Sequence, residues 1–522
     1  MCAVPPNASG PSRVRGGIHV LRRRGLRTAV ATCGVMAVLA TPALAGSGSP
    51  GEPGVGDPYF PEAGNGGYDV SHYDVKLRYQ PKNDLLRGTT TIVAEPTKDL
   101  SAFNLDFALE VDSVRVNGLP AKVSRSGDTE LTVEPKRTLR EGSLATFVVS
   151  YADRPSEVRV DGSTPWKRTS TGAVAVGQPQ IAEWWFPSND HPSDKATFDI
   201  SVAVPNGTEV LSNGEMTGRS RTGGWTRWNW RMPTPSATYL AFLAIGQYGI
   251  SGKTGAFDQP MITAYADGLG ELADPARASV ERTPEVLDFL SGLFGEYPFR
   301  SQGGVVPAEG LGFALETQTR PVYSPGFFRI GSNTSVVTHE LAHQWFGDSV
   351  AVRDWPQIWL NEGFASYAEW LWAEHQGNGT AQQLFDHYYS LYPADSEFWQ
   401  VKPGDPGREN LFHGAVYDRG AMTLHALRNR IGDRDMLRTV RAWYEQNRDG
   451  NATVEEFVAL TERISGQQLD GFFDEWLFSA GKPPVGERTG VPRTATAAAA
   501  EPEAVRQLDH THELLARQHG HG

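Results

Sequence analysis

Cysteine is almost missing from this chain. Only Cys2 and Cys33 occur in 522 residues, both inside the first 45, so a body without that stretch has no disulfide and no thiol to oxidise. Positive charge is short as well: 48 Lys and Arg face 61 Asp and Glu, a formal net charge of −13. So acidic a chain is a poor binder of nucleic acid or of an anionic membrane. A membrane-spanning run is also lacking. The apolar stretch from Ala29 to Leu44 is too short, and too rich in Ala and Thr, for stable membrane insertion.

That stretch reads instead as part of a targeting segment. Arg22, Arg23, Arg24 and Arg27 precede it, and Ala43-Leu44-Ala45 closes it as a small-x-small cleavage signal, so residues 1–45 are expected to be a signal peptide cut near Ala45. Arg22-Arg23-Arg24-Gly25-Leu26 resembles a twin-arginine signal with Gly where an aromatic is commoner, which leaves general and twin-arginine export both open. A translation start at Val14 or Val20 would suit this signal. Cleavage removes six Arg and no acid, taking the formal net charge from −13 to −19. The body is then expected to be secreted or extracytoplasmic. Nothing in the sequence sets an oligomeric state.

What is present is concentrated in two short blocks, Val337-Thr338-His339-Glu340-Leu341-Ala342-His343 and Trp359-Leu360-Asn361-Glu362-Gly363-Phe364-Ala365. Two histidines four apart on a helix share one face and can bind one zinc ion. Glu340 lies beside them, placed to reach a zinc-bound water without being a ligand. Glu362, nineteen residues after His343, can add a carboxylate ligand from a neighbouring helix. Three protein ligands with one open position make a catalytic rather than a structural zinc site. An accidental His pair on an ordinary helix is the alternative for the first block alone, and the second block argues against it. Asn333 or Ser332 can cap the first helix and Gly347 can end it; Val336, Val337, Leu341, Ala342, Trp345 and Phe346 supply its buried faces. The second helix is expected from near Asn361 through Trp372, with Ser366 and Glu369 one and two turns after Glu362.

His339-Glu340-Leu341-Ala342-His343-Gln344-Trp345-Phe346-Gly347, with Trp359-Leu360-Asn361-Glu362-Gly363 downstream, resembles the zinc core of the aminopeptidase N family of gluzincins. The resemblance spans roughly residues 69–485 and implies one Zn2+ per chain. It also implies roles elsewhere. The family's G-x-M-E-N stretch, whose Glu grips the substrate's free α-amino group, corresponds to Gly312-Phe313-Ala314-Leu315-Glu316-Thr317, so Glu316 inherits the amine contact. Phe313, Leu315 and Thr317 depart from the family pattern there. Val416-Tyr417-Asp418-Arg419-Gly420-Ala421 is similar to the family's Y-x-K-G stretch, which gives Tyr417 the oxyanion contact. Glu183 to Ala196 is like F-P-C-x-D-E-P-x-x-K-A and reads as structural; Gln178, just ahead of it, is carried as a substrate-binding candidate beside a purely structural reading.

The expected fold class is α+β and multidomain: an amino-terminal all-β, antiparallel and saddle-like domain, then a mainly helical, thermolysin-like zinc-peptidase domain. Tyr73, Val75, Leu77 and Tyr79 alternate with Asp74, Lys76 and Arg78, as do Phe103, Leu105, Phe107, Leu109 and Val111 with their neighbours. Asn117-Gly118 marks a hairpin. The apolar run Ala237 to Ile250 is expected to close the β domain, and from about residue 270 the pattern turns helical. The boundaries are then 1–45 signal, 46–68 linker, 69–253 β domain, 254–485 zinc domain and 486–522 a mostly disordered tail with a short helix near Glu501 to Gln518, whose His510, His512, His519 and His521 read as solvated, with binding of a spare metal as the alternative. Family members usually continue with a helical domain that roofs the cleft, and here only residues 486–522 remain.

These residues predict an exported zinc aminopeptidase acting on peptides with a free amino terminus. A thermolysin-like endopeptidase without an amine anchor is the second reading, against which Glu316 stands. An inactive peptide-binding scaffold on the same fold is the third, against which the complete set of ligands, base and Tyr417 stands.

Overall fold

The computed structural model describes residues 48–160, 162–496 and 500–516. The expected export segment and the tail residues His519 and His521 lie outside the described residues.

The first half is built on an eight-stranded sheet: β1 Tyr68–Gln80, β2 Leu85–Pro96, β3 Val111–Val116, β4 Leu119–Pro120, β5 Ala145–Asp153, β6 Ala196–Pro205, β7 Glu215–Thr222 and β8 Trp225–Ser236. The spatial order is β7-β8-β6-β1-β2-β5-β3-β4, with β6 and β1 parallel and every other neighbour antiparallel. The alternation read in β1 is obeyed, since Tyr73, Val75, Leu77 and Tyr79 are buried while Lys76 and Arg78 are exposed. Asn117 and Gly118 both take positive φ in the two-residue turn joining β3 to β4. Two four-stranded sheets cover this layer; Phe103, Leu105, Phe107 and Leu109 all point into the same core.

The run Ala237 to Ile250 is not one strand. Thr238–Leu240 is a helical turn, Leu243–Gly246 joins a sheet of the first domain, and β9 Tyr248–Thr254 already belongs to the second. The domain boundary therefore falls at Gln247, ahead of the expected 253. Apolar continuity marked burial as far as Gly246, while Gly249 and Ile250 are exposed, and it carried no information about which sheet each half would pair with.

The second domain opens with a five-stranded sheet, β9, β10 Pro260–Ala266, β11 Gln302–Val306, β12 Ala314–Leu315 and β13 Val322–Tyr323, in the order β9-β10-β11-β13-β12. Helices follow: α1 Ala273–Val280, α2 Thr283–Phe294, α3 Thr334–Ala342, α4 Trp359–Gln376, α5 Ala381–Leu391, α6 Gly414–Ile431, α7 Asp433–Asn447, α8 Val454–Ser465, α9 Asp470–Phe473 and α10 Val505–Ala516. Helices α4 and α6 cross at two glycines. A Cβ on Gly420 would come within 2.9 Å of the Gly363 Cα, so only this pair allows the backbones to meet.

Several ties join the domains, among them those of Lys195, Arg320 and Asp57. Lys195 Nζ donates to the carbonyls of Asp348 and Ser349, 2.8 Å each, pinning the loop after α3. Arg320 donates to the carbonyls of Ser212 and Gly214. Asp57, inside the expected linker, accepts from the Trp355 amide at 2.7 Å and faces His191 Nε2 at 3.1 Å. The stretch 48–68 is thus packed rather than a free linker, because Asp57 has partners in both domains. The short helix expected in the tail is α10, but it is not free: it lies against α3 and α6 with Val505, Leu508 and Leu515 buried. Its apolar side chains recur at helical spacing, a stripe that demands a partner surface.

Candidate active site

Asn333 caps α3, its Oδ1 accepting from the amides of Ser335 and Val336. Regular helix ends at Ala342, and the chain turns through residues 343–346 before Gly347 leaves with φ +134°. His339 and His343 therefore stand one turn apart on the buried face, with ring centroids 4.8 Å apart. Glu362, in the first turn of α4, faces both: its Oε2 lies 3.2 Å from His339 Nε2 and 3.4 Å from His343 Nε2. All three side chains are at most 4% exposed.

The other ring nitrogens are already engaged. His339 Nδ1 meets Glu369 Oε1 at 2.7 Å, and His343 Nδ1 lies 3.1 Å from the Phe346 carbonyl. Each Nδ1 therefore donates, leaving both Nε2 atoms turned towards Glu362, which is the tautomer that a metal ligand needs. The donor set of two imidazoles and one carboxylate, with ligand atoms within 4.8 Å of one another, suits zinc. Burial opposes charge on Glu362, yet His343 and His339 hold its carboxyl down to about 2.

Glu340 is 1% exposed, and its Oε1 has no hydrogen-bond partner. Burial pushes its carboxyl up to about 8. Tyr417, in the first turn of α6, lies with its ring stacked on that of His339 at 5.9 Å. Burial first, and then the carboxylates of Glu362, Glu340 and Glu316, push its hydroxyl well above the ordinary range, so it is a neutral donor.

Glu316 directly follows β12, the edge strand of the five-stranded sheet. Its backbone carbonyl accepts from Gln344 Nε2, one residue past His343, at 2.9 Å. Its Oε1 accepts from the Tyr239 hydroxyl at 3.0 Å and from Gln178 Nε2 at 3.4 Å. Burial raises its carboxyl above the usual range. Glu316, Glu340 and His343 have donor atoms within 4.8 Å of one another.

The structure thus brings His339, His343, Glu362, Glu340, Tyr417, Glu316 and Gln178 into one place. Two participants had no sequence signal that tied them to the zinc site. Tyr239 lies in an apolar run where a Tyr reads as packing. His512 lies in the tail, and its ring touches Glu369 and Asp418.

Comparison with known proteins follows this geometry. Residues 70–240 match the Peptidase M1 N-terminal domain and residues 329–476 the Peptidase family M1 domain, together more than half of the chain. Among curated proteins, the glutamyl aminopeptidase of Rattus norvegicus is 26% identical over 459 residues, covering 79% of this chain and 47% of its own length. The probable aminopeptidase 2 of Sulfurisphaera tokodaii is 27% identical over 443 residues, 80% of this chain and 54% of its own. The chain thus spans about half the length of the curated relatives it matches. Among solved structures, an M1 zinc metallopeptidase from Deinococcus radiodurans superposes with a TM-score of 0.75 at 28% identity, covering 84% of this chain and 100% of its own. A variant of that protein bound to a Tyr-Ser-Ala substrate gives a TM-score of 0.74.

Proposed function

The chain belongs to peptidase family M1, and on that premise we propose that it is an exported zinc aminopeptidase releasing the first residue of peptides with a free amino terminus. The observation that carries this reading is the placement of Glu316 beside Glu340 and His343, with donor atoms within 4.8 Å. A substrate whose ammonium is held at Glu316 can present only its first peptide bond to the base.

His339, His343 and Glu362 would hold the zinc, with His339 oriented by Glu369 and His343 by the Phe346 carbonyl. A bound zinc supplies Lewis acidity at the scissile carbonyl and lowers the pKa of water towards ~7. Glu340 takes a proton from the attacking water and later gives it to the departing amine. Its unpartnered, buried Oε1 supports that task. Tyr417 donates a hydrogen bond to the carbonyl oxygen as negative charge develops there, an interaction stronger in the transition state than in the ground state. Tyr239 and Gln178 hold the Glu316 carboxylate against rotation, so the ammonium meets a fixed acceptor.

Time-resolved mass spectrometry of a mixed-sequence peptide tests the reading. The expected result is a ladder of products shortened one residue at a time from the amino end. Internal fragments appearing first would transfer the assignment to an endopeptidase.

A further inference from the structure

We propose that His512, carried by the carboxy-terminal helix α10, is a positioning residue for the zinc site: it holds Glu369, and through it His339, and it anchors the turn of α6 that bears Tyr417. The inference rests on the zinc-peptidase reading above and deepens it, because residue 512 lies past residue 476, where the family match ends.

The His512 ring is buried between two carboxylates. Its Nε2 lies 2.9 Å from Glu369 Oε1 and its Nδ1 2.7 Å from Asp418 Oδ1. Carboxylate oxygens only accept, so both ring nitrogens donate and the ring is an imidazolium. Glu369 Oε1 is the same atom that accepts from His339 Nδ1, and Glu369 Oε2 accepts from the Ser335 hydroxyl. The carboxylate that orients a zinc ligand is therefore fixed from three sides, one of them supplied by α10.

Asp418 directly follows Tyr417, and it also accepts from the Tyr392 hydroxyl at 3.1 Å. One cation thus bridges α4 and α6, the two helices that present Glu362 and Tyr417. The helix carrying it is itself seated with care. Asn333, the cap of α3, donates to Thr511 Oγ1 at 3.0 Å and Tyr388 donates to Asp509. His512 without its partners would be a costly buried charge; Glu369 and Asp418 without it would be two. Carboxylates behind a metal-bound imidazole typically tune metal affinity by about 10- to 100-fold, and that is the scale expected for the group that holds this carboxylate in place.

The test uses the full chain with His512→Ala, His512→Gln and, as a control on the same helix, Gln507→Ala. Zinc affinity is read by competition with a chelator, without substrate, alongside kcat and KM. The expected outcome is zinc affinity lower by about 10- to 100-fold in His512→Ala, a smaller loss in His512→Gln, which keeps one donor, and native affinity in Gln507→Ala. The activity change should fall on kcat rather than KM, since Glu316 is untouched. Native zinc affinity in both His512 variants, or an equal loss in Gln507→Ala, would overturn the proposal. Two zinc ions per native chain, one lost with His512, would overturn it in favour of a second metal site, for His339, Glu369 and His512 also lie within mutual ligand range. A native chain that binds no zinc would instead remove the zinc-peptidase reading itself.

Discussion

Glu340 carries an oxygen that nothing in the protein satisfies, and a buried carboxylate rarely keeps such an atom without a task. The ligands lie one residue before it and three after, so its side chain can be changed without touching them. Glu340→Gln is expected to keep one zinc per chain, read by elemental analysis, while turnover falls by about 10²- to 10⁴-fold. Near-full activity in that variant would remove Glu340 from the chemistry. His339→Ala and Glu362→Ala should fail the other way, losing metal. At this scale the sequence was most legible where one helix turn sets the geometry: His339 with His343, and Glu362 with Glu369 two turns on. It was silent where a partner comes from far along the chain. Tyr239 reaches Glu316 across 77 residues and His512 reaches Glu369 across 143, and no local pattern marks either.

The elements differ in how plainly they announced themselves. Strand β1 alternates because one face is buried, and α3 shows its cap, Asn333, whereas the expected stop at Gly347 lies five residues past the end of regular helix at Ala342. Strand β11 is fully buried, five residues long and holds two glycines, so it has neither alternation nor length to show. Gly303 is needed there: a Cβ would lie 1.8 Å from the Ile262 carbonyl oxygen of the neighbouring strand. The loop from Glu183 to Ala196, read as structural, makes a prediction about pH. Asp190 is 3% exposed, accepts from the Thr238 hydroxyl and has an unpartnered Oδ2; burial raises its carboxyl to about 6. Between the ordinary carboxylate value of ~4 and about 6, the folded chain holds a proton that the unfolded chain has released, so this group makes stability fall as pH rises through that window. Above about 6 the cost is fully present. Asp190→Asn should therefore raise unfolding free energy at pH 7 by about 1–3 kcal/mol and flatten its pH dependence between 4 and 6, measured by urea denaturation. An Asn variant less stable than the native protein at pH 7 would contradict this.

At the scale of the whole molecule, the division into a β half and a helical half followed from periodicity, while the seam between them did not. Lys195, Arg320 and Asp57 lock the halves through backbone groups, and backbone partners leave no trace in a sequence. The export proposal belongs at this scale. No helix among the described residues is long and apolar enough to cross a membrane, and the Arg cluster before Ala43-Leu44-Ala45 supports removal of residues 1–45. Protein recovered from outside the producing cell should begin at or near Gly46 by amino-terminal sequencing; an intact amino terminus retained in the cytoplasm would contradict export.

The central claim is that an acidic anchor selects the amino-terminal bond, and one comparison tests it most directly: kcat/KM for a free-amino peptide and its acetylated analogue, in the native protein and in Glu316→Ala. The proposed anchor would make a charge-assisted contact with the substrate ammonium from a buried Glu316 that Tyr239 and Gln178 hold. Removing one partner of such a pair typically costs roughly 2–5 kcal/mol, about thirty- to several-thousand-fold. The native protein should cleave the free peptide and barely touch the acetylated one; Glu316→Ala should lose that factor on the free peptide, little more on the blocked one, and no zinc. Equal hydrolysis of both peptides by the native protein would contradict the aminopeptidase account.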